Sequence, residues 1–221
     1  ADDTAAFFAF GDPDAVWLPA TPSRAWAALG AEPSDMPVLY VGGVQLVNRR
    51  LRPIGRGGGR LRPSLGNALV QNIGPGCAMV MNAAARQRLL THPPYALSVH
   101  DHWAYLVTAA FGSVIHDPHP TVLYRQHGAN AIGAQHRLWQ KWAKRVKRVR
   151  SRQRFLTAQA AEFERIFGES LPADARALVH RFVHDRGGLL TALRYALEGG
   201  VYRQTRADNL MLKVLLTLRR I

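Results

Sequence analysis

The residues best suited to chemistry in this chain are three aspartates. Asp12 and Asp14 flank Pro13. Two carboxylates one residue apart can bind a hard divalent cation, directly or through water, and such a cation usually bridges to substrate phosphates as well. Asp-Pro-Asp is equally ordinary turn chemistry. Asp101 stands between His100 and His102 at the start of an apolar segment. It reads either as a general base at a helix start or as the capping-box partner of Ser98. Tyr124-Arg125-Gln126-His127 follows a short apolar run. Arg125 and His127 share a strand face there, since strand side chains alternate. Gly74-Pro75-Gly76, just before Cys77, lets backbone approach a ligand closely.

These residues need elements to hold them. The apolar run 5–10, bounded by Gly11 and Pro13, predicts an interior strand of an α/β sheet. Its carboxyl end is where open α/β sheets place ligands. A short helix capped by Thr21 or Ser23 ends near Gly30. Residues 36–49 predict a strand or hairpin, weakened by Gly42-Gly43. Residues 51–66 read as a flexible, basic, Gly-rich surface loop. They are no phosphate loop, because no Gly-Lys-Ser/Thr follows. Residues 77–81 predict a strand, with Asn82 capping the helix after it. A helix over 99–111 closes at Gly112, and two strands, 113–117 and 121–127, follow.

At Gln135 the character changes. From Gln135 to Ala161 there are nine Lys or Arg and no acid. Trp139, Trp142, Val146, Val149, Gln153, Leu156, Ala160, Phe163 and Phe167 step by three or four, which predicts one long amphipathic helix over 136–167. Its polar side carries Arg137, Lys141, Lys144, Arg145, Arg148 and Arg152. Trp139 and Trp142 beside Lys141, Lys144, Arg145 and Arg148 suit the surface of an anionic membrane. A domain-packing helix with a solvated basic side fits as well. Pro172 begins a helix to about Arg186, Leu189–Glu198 form another, and Asp208 or Asn209 opens the last. The expected division is a strand-rich part, 1–134, and a helical part, 135–221.

The 221 residues, 48% hydrophobic and 20% charged, have the composition of a folded protein and not a disordered one. One cysteine excludes an internal disulfide and fits a reducing compartment. No uninterrupted apolar run reaches the about 18 residues a spanning helix needs. The net charge of +14 favours an anionic partner: nucleic acid, anionic lipid or a phosphorylated substrate.

Several of these segments, in order, resemble family 2 glycosyltransferases, and in particular the rhamnosyltransferase-like enzymes of bacterial cell-surface polysaccharide synthesis. FGDPDAVWLP resembles the family's acidic metal-binding segment, and PVLYVGGVQLVN the strand after it. NALVQNIGPGCAMVMN is similar to the segment lining the sugar pocket with Gly76 and Cys77. HDHWAYLVTAAFG resembles the family's His-Asp-Trp-Trp helix start, VLYRQHGANAIG its Tyr-Arg-Gln-His segment, and EGGVYRQTRADNLMLKVLL its helical tail. The resemblance implies an α/β fold of the GT-A type and an inverting transfer from a nucleotide-sugar, dTDP-rhamnose above all, to a lipid-linked or polysaccharide acceptor. It implies that Asp12 and Asp14, with His127, hold Mg²⁺ or Mn²⁺ on the donor diphosphate. Asp101 would be the base, Arg125 and Tyr124 would contact the diphosphate, and His100 and Trp103 would flank the acceptor sugar.

The chain departs from the family's pattern in three ways. Ala15 replaces a further acid, Pro13 replaces a glutamine, and His102 and Ala104 disturb the tryptophan pair. Members also begin with about a hundred residues of nucleotide-binding βαβ structure that this chain lacks, the size of a domain half. The expectation is therefore an incomplete GT-A sheet, the carboxyl-terminal part of such an enzyme, which a second chain supplying the nucleotide-binding half would complete. Without that half, the same chain reads as an inactive remnant that binds a membrane or partner. A nucleic-acid-binding protein is the third reading. It is weakened because the basic residues concentrate in one helix and one loop with no recognised binding motif. The expected place is the cytoplasm, peripherally on the inner face of the bacterial cytoplasmic membrane.

Overall fold

The computed structural model describes residues 6–57, 59–91, 93–94, 99–126, 155–185 and 188–218. The chain divides into two compact units, 1–93 with 98–129, and 94–97 with 130–221.

The first unit is mixed α/β. Its sheet has six strands: β1 (Phe7–Ala9), β2 (Ala15–Trp17), β3 (Val38–Val47), β4 (Pro53–Gly57), β5 (Met79–Asn82) and β6 (Ser113–Arg125). They run in the order β1-β5-β3-β6-β2, with β4 beside the second half of β3. Only β3 and β6 pair in parallel; the other pairings are antiparallel. The helices are α1 (Thr21–Gly30), α2 (Leu65–Ala68), α3 (Ala83–Thr91) and α4 (His100–Phe111).

Strand β3 is the centre. Its VLYVGGV stretch is apolar on both sides and buried throughout, as a strand covered on both faces must be. Val38 and Tyr40 pack with Ala25 and Leu29 of α1, Val80 of β5 and Ile115 of β6. Leu39 and Val41 point the other way, and α4 packs against the sheet there, its residues from Asp101 to Thr108 all buried. Gly42 and Gly43 do not weaken this strand; they let β6 cross it closely. A Cβ on Gly42 would lie 2.0 Å from Thr121 Oγ1, and one on Gly43 would lie 2.6 Å from the His119 carbonyl oxygen.

The structure corrects several sequence expectations. The run 5–10 supplies an edge strand, half-buried, because it pairs only with β5. The Gly-rich segment 51–66 is not all loop: β4 hydrogen-bonds to β3, and Ser64 caps α2 by accepting from Asn67 N–H. Cys77 lies before β5, in a turn of 3₁₀ helix from Gly76 to Ala78. The two strands expected at 113–117 and 121–127 are one strand, β6, bulged opposite Gly42 and Gly43. The last helix, Arg206–Thr217, opens at Thr205, whose side chain accepts from Asp208 N–H.

In the second unit the described residues form α5 (155–167), α6 (Ala173–His184), α7 (Leu189–Glu198) and α8 (Arg206–Thr217). Phe163 and Phe167 of α5 and Val179 and Phe182 of α6 are fully buried, and α7 packs on α8. The start of the long helix expected over 136–167 lies outside the described residues, with Trp139, Lys141, Trp142, Lys144, Arg145 and Arg148. So does His127. Among the described residues no helix is long and apolar enough to cross a membrane.

Candidate active site

Asp12 and Asp14 sit in the turn between β1 and β2, both half-buried. Asp14 N–H donates to Asp12 Oδ1 at 2.8 Å, and Ala15 N–H to the Asp12 carbonyl at 3.1 Å. This is the local turn that Asp-Pro-Asp favours. It also fixes the first carboxylate. The turn is tied to the sheet by Arg125 N–H, which donates to the Asp14 carbonyl at 3.0 Å. Among the described residues, no third His, Cys, Asp or Glu joins these two acids in a set of ligand atoms within 4.8 Å of one another. The pair offers hard oxygen donors, which fits Mg²⁺ or Mn²⁺, with phosphate or water oxygens to complete the shell.

Asp101 is buried, 9% exposed, in the first turn of α4. Ser98, the expected capping-box partner, lies outside the described residues; the helix begins after Val99 with no side-chain cap. Asp101 Oδ2 accepts Gly76 N–H at 3.1 Å and Oδ1 accepts His102 N–H at 2.6 Å. The carboxylate thus binds the 3₁₀ turn of residues 76–78 to the start of α4. Each oxygen keeps a lone pair beyond those bonds. A Cβ at position 76 would lie 2.7 Å from His100 Nε2 and would push that ring aside. His100 is exposed, its ring 4.9 Å from that of Phe10. Trp103 is buried, 4% exposed, and so packs inside the fold without an open face for a sugar.

Cys77, Val44, Ala78 and Val122 form a small core against which Ala15, Leu46 and Tyr124 pack. The indole of Trp17 donates to the Cys77 carbonyl at 2.8 Å, closing that corner. Burial pushes the Cys77 thiol up to about 11, and the charges of Asp12 and Asp101 push the same way. Cys77 is therefore a thiol at neutral pH, not a nucleophile. Tyr124 is raised as well, first by burial, then by Asp12, Cys77, Asp14 and Asp101. Ala15 pairs with Tyr124, Tyr124 packs on Cys77, and the neighbouring Gly76 N–H bonds Asp101, so the acidic turn and Asp101 flank one corner although they are far apart in sequence. Tyr124 stays protonated, a donor among acceptors. Arg125, next on β6, points to the opposite face of the sheet from Tyr124. Among the described residues its buried Nε has no hydrogen-bond partner.

The structure therefore brings together Asp12, Asp14, Gly76, Cys77, His100, Asp101 and Tyr124. It does not bring Trp103 to the surface, and it separates Tyr124 from Arg125.

Sequence reasoning missed a second polar cluster on the α1 side of the sheet. Asp117 accepts Arg24 Nε at 2.6 Å, Arg24 Nη2 at 3.0 Å, the Tyr40 hydroxyl at 2.7 Å and His119 N–H at 2.9 Å. Burial alone would raise the Asp117 carboxyl. The bonds from Arg24, His119 and Tyr40 outweigh it and hold the carboxyl below the usual carboxylate range. Tyr40 is pushed up by its burial and by Asp117. Thr21 adds a hydroxyl bond to the Thr121 carbonyl. These contacts fasten α1 to the bulge of β6. With every acceptor position of Asp117 occupied, the cluster is a clamp and not a reaction centre. No local spacing announces it, since its members lie in three distant segments.

Comparison with protein-family models, with curated proteins and with solved structures finds no match.

Proposed function

We propose that the first unit carries the acceptor and diphosphate side of an inverting, metal-dependent glycosyltransferase site of the GT-A type. The observation that supports this is the placement of the Asp12–Asp14 turn and Asp101 on either side of Tyr124 and the Gly76–Ala78 turn. A carboxylate pair with hard oxygen donors beside a separately anchored third carboxylate suits a reaction that needs a diphosphate held and a proton removed.

In this reading Asp12 and Asp14 hold Mg²⁺ or Mn²⁺, which stabilises the charge developing on the leaving diphosphate. Asp101 takes the proton of the acceptor hydroxyl as that oxygen bonds to the anomeric carbon. The bond between that carbon and the diphosphate oxygen breaks, and its electron pair leaves with the diphosphate. Attack and departure on opposite faces invert the anomeric centre. Tyr124, kept protonated, offers its O–H to the diphosphate. Arg125 acts through its backbone by fixing the Asp14 carbonyl. His100, exposed beside the turn, meets the acceptor. The resemblance makes dTDP-rhamnose the donor of choice and a lipid-linked or polysaccharide chain the acceptor, with the nucleotide-binding half supplied upstream or by a second chain.

The test is transfer from dTDP-rhamnose to a lipid-linked acceptor by this chain joined to a nucleotide-binding region. Mn²⁺-dependent turnover is expected. Its absence with the joined protein folded would remove the enzymatic reading.

An inactive module that binds a membrane surface is the second reading. Leu189, Leu193 and Leu197 of α7, Leu210 and Val214 of α8, and Leu218 just after it are all exposed, on a chain of net charge +14. Co-sedimentation with anionic but not neutral vesicles, in a protein that binds no nucleotide-sugar, would favour it.

A further inference from the structure

The second unit contains a group of side chains that the transfer reaction does not use. Glu164 of α5 faces His180 and His184 of α6. Oε1 lies 2.9 Å from His180 Nδ1, and Oε2 lies 2.9 Å from His184 Nε2. The two imidazole rings are 4.5 Å apart, tilted by 38°. One ligand atom from each of the three residues falls in a set within 4.8 Å of one another.

We propose that Glu164, His180 and His184 form a binding site for a borderline divalent cation, Zn²⁺ being the type, with its fourth position open to water. The argument begins with the helix. Histidines at i and i+4 stand on one face, one turn apart, and can turn their nitrogens toward a common point. The second step is the neighbour. Phe163 and Phe167 beside Glu164, and Val179 and Phe182 beside the histidines, are fully buried. The backbone at 164, 180 and 184 is therefore set by packing and not by the polar contacts themselves.

Third is the chemistry of the donors. Two imidazoles and one carboxylate make a set that zinc sites with an open position use. With bonds of about 2.0–2.1 Å and tetrahedral angles, neighbouring donors lie roughly 3.3 Å apart. The nitrogen–oxygen separations of 2.9 Å and the outer limit of 4.8 Å bracket that edge. Small side-chain rotations suffice, because both imidazoles are more than half exposed while Glu164 is only 21% exposed.

Fourth is charge. Among the described residues no Lys or Arg pairs with Glu164: Arg165 pairs with Glu162 and Arg181 with Asp185. The partners shown for the carboxylate are the two imidazoles, both of which lose their proton at that nitrogen when a cation takes its place.

The set differs from the acidic pair of the first unit in what it selects. Nitrogen donors favour Zn²⁺, Co²⁺, Ni²⁺ or Cu²⁺, whereas Asp12 and Asp14 favour Mg²⁺ or Mn²⁺. The site is therefore separable by metal as well as by position.

The experiment titrates the full chain carrying Asp12→Asn and Asp14→Asn with Zn²⁺ by calorimetry, and with Co²⁺ by visible absorption. One Zn²⁺ per chain is expected, with a Co²⁺ d–d band of four-coordinate intensity. His180→Gln and His184→Gln should each weaken Zn²⁺ by about 100-fold or more, and Glu164→Gln by roughly 10–100-fold. At a fixed micromolar Zn²⁺ concentration the melting temperature of the parent should rise more than that of any variant. The histidines are exposed, so both variants fold, and far-ultraviolet circular dichroism checks this. Equal Zn²⁺ affinity in parent and variants would overturn the site. So would binding only at millimolar Zn²⁺, which is an adventitious ion only.

Discussion

The two units hold their polar groups by opposite means. In the first, Asp12, Asp101 and Tyr124 come from a turn, a helix start and a strand, and only the sheet brings them together. In the second, Glu164, His180 and His184 come from two helices close in sequence, and a one-turn spacing does most of the positioning. The first arrangement depends on every strand pairing being right; the second depends on one helix–helix contact. A site of the first kind is lost when the sheet is disturbed anywhere. A site of the second kind fails only when its own helices part.

This contrast can be broken most sharply at Asp101. Asp101→Asn keeps one oxygen to accept the Gly76 amide, gives up the bond from His102 N–H, and removes the proposed base. Transfer is expected to fall by about 10²–10⁴-fold with the fold unchanged, read by turnover and circular dichroism together. A variant that retained activity would make Asp101 a purely structural latch.

In the second unit the largest effect belongs to packing. Phe182, fully buried on α6, should cost about 3–5 kcal/mol when replaced by alanine. Denaturant unfolding measures this, and Zn²⁺ stabilisation should weaken with it. The sheet's counterpart is smaller and sits in its backbone. A Cβ at Gly112 would lie 1.8 Å from the Pro37 carbonyl oxygen, the acceptor of Ser113 N–H. Gly112→Ala should therefore cost roughly 1–3 kcal/mol, and it should also impair transfer, since it displaces β6 against β3.

The smallest expected effects depend on pH. Asp117→Asn should cost about 1–3 kcal/mol, toward the low end because Arg24 is 39% exposed and water screens the pair. The Asp117 carboxyl is held below its unfolded value of about 3.9. Its stabilisation is thus complete above that value and is lost as pH falls through the lower, folded one. Melting curves of parent and variant should converge on acidification from about pH 4. His116 is shifted down by burial, with Asp117 opposing, and its Nδ1 accepts Leu61 N–H at 3.4 Å. A base depressed in the fold favours the folded state more at high pH, so the loss begins as pH falls below the unfolded value of about 6.5. His116→Gln should flatten stability across that range.

Local signals made much of this legible. Gly188 and Gly199 frame α7 at the residues expected, and Asn82 caps α3 by accepting Ala85 N–H at 2.9 Å. Asp12, Asp14 and Asp101 stood out because short polar residues interrupt apolar runs. What sequence did not disclose depends on pairing across distance. Residues 113–117 and 121–127 read as two strands, and only β3 alongside shows them to be one strand with a bulge between. The Gly-rich stretch reads as loop because strand propensity is weak there; backbone bonds to Val44–Val47 make β4 regardless. The His180–His184 spacing was visible. Its partner Glu164 was not, because which face of α5 meets α6 is a matter of tertiary packing.

The bulge has one further consequence. From the Gly42–Asp117 pair to the Val44–Val122 pair, β6 spends three more residues than β3. Three is odd, so the alternation along β6 changes phase as it passes the glycines. Upstream, Ile115 and Asp117 take the side of Tyr40; downstream, Tyr124 takes the side of Leu46. Without the phase change Arg125 would stand where Tyr124 does, and a cation would replace a neutral phenol among the acids. Segment 118–121 is thus a parity setting: lengthening it by two residues preserves the site's chemistry, and lengthening it by one inverts it.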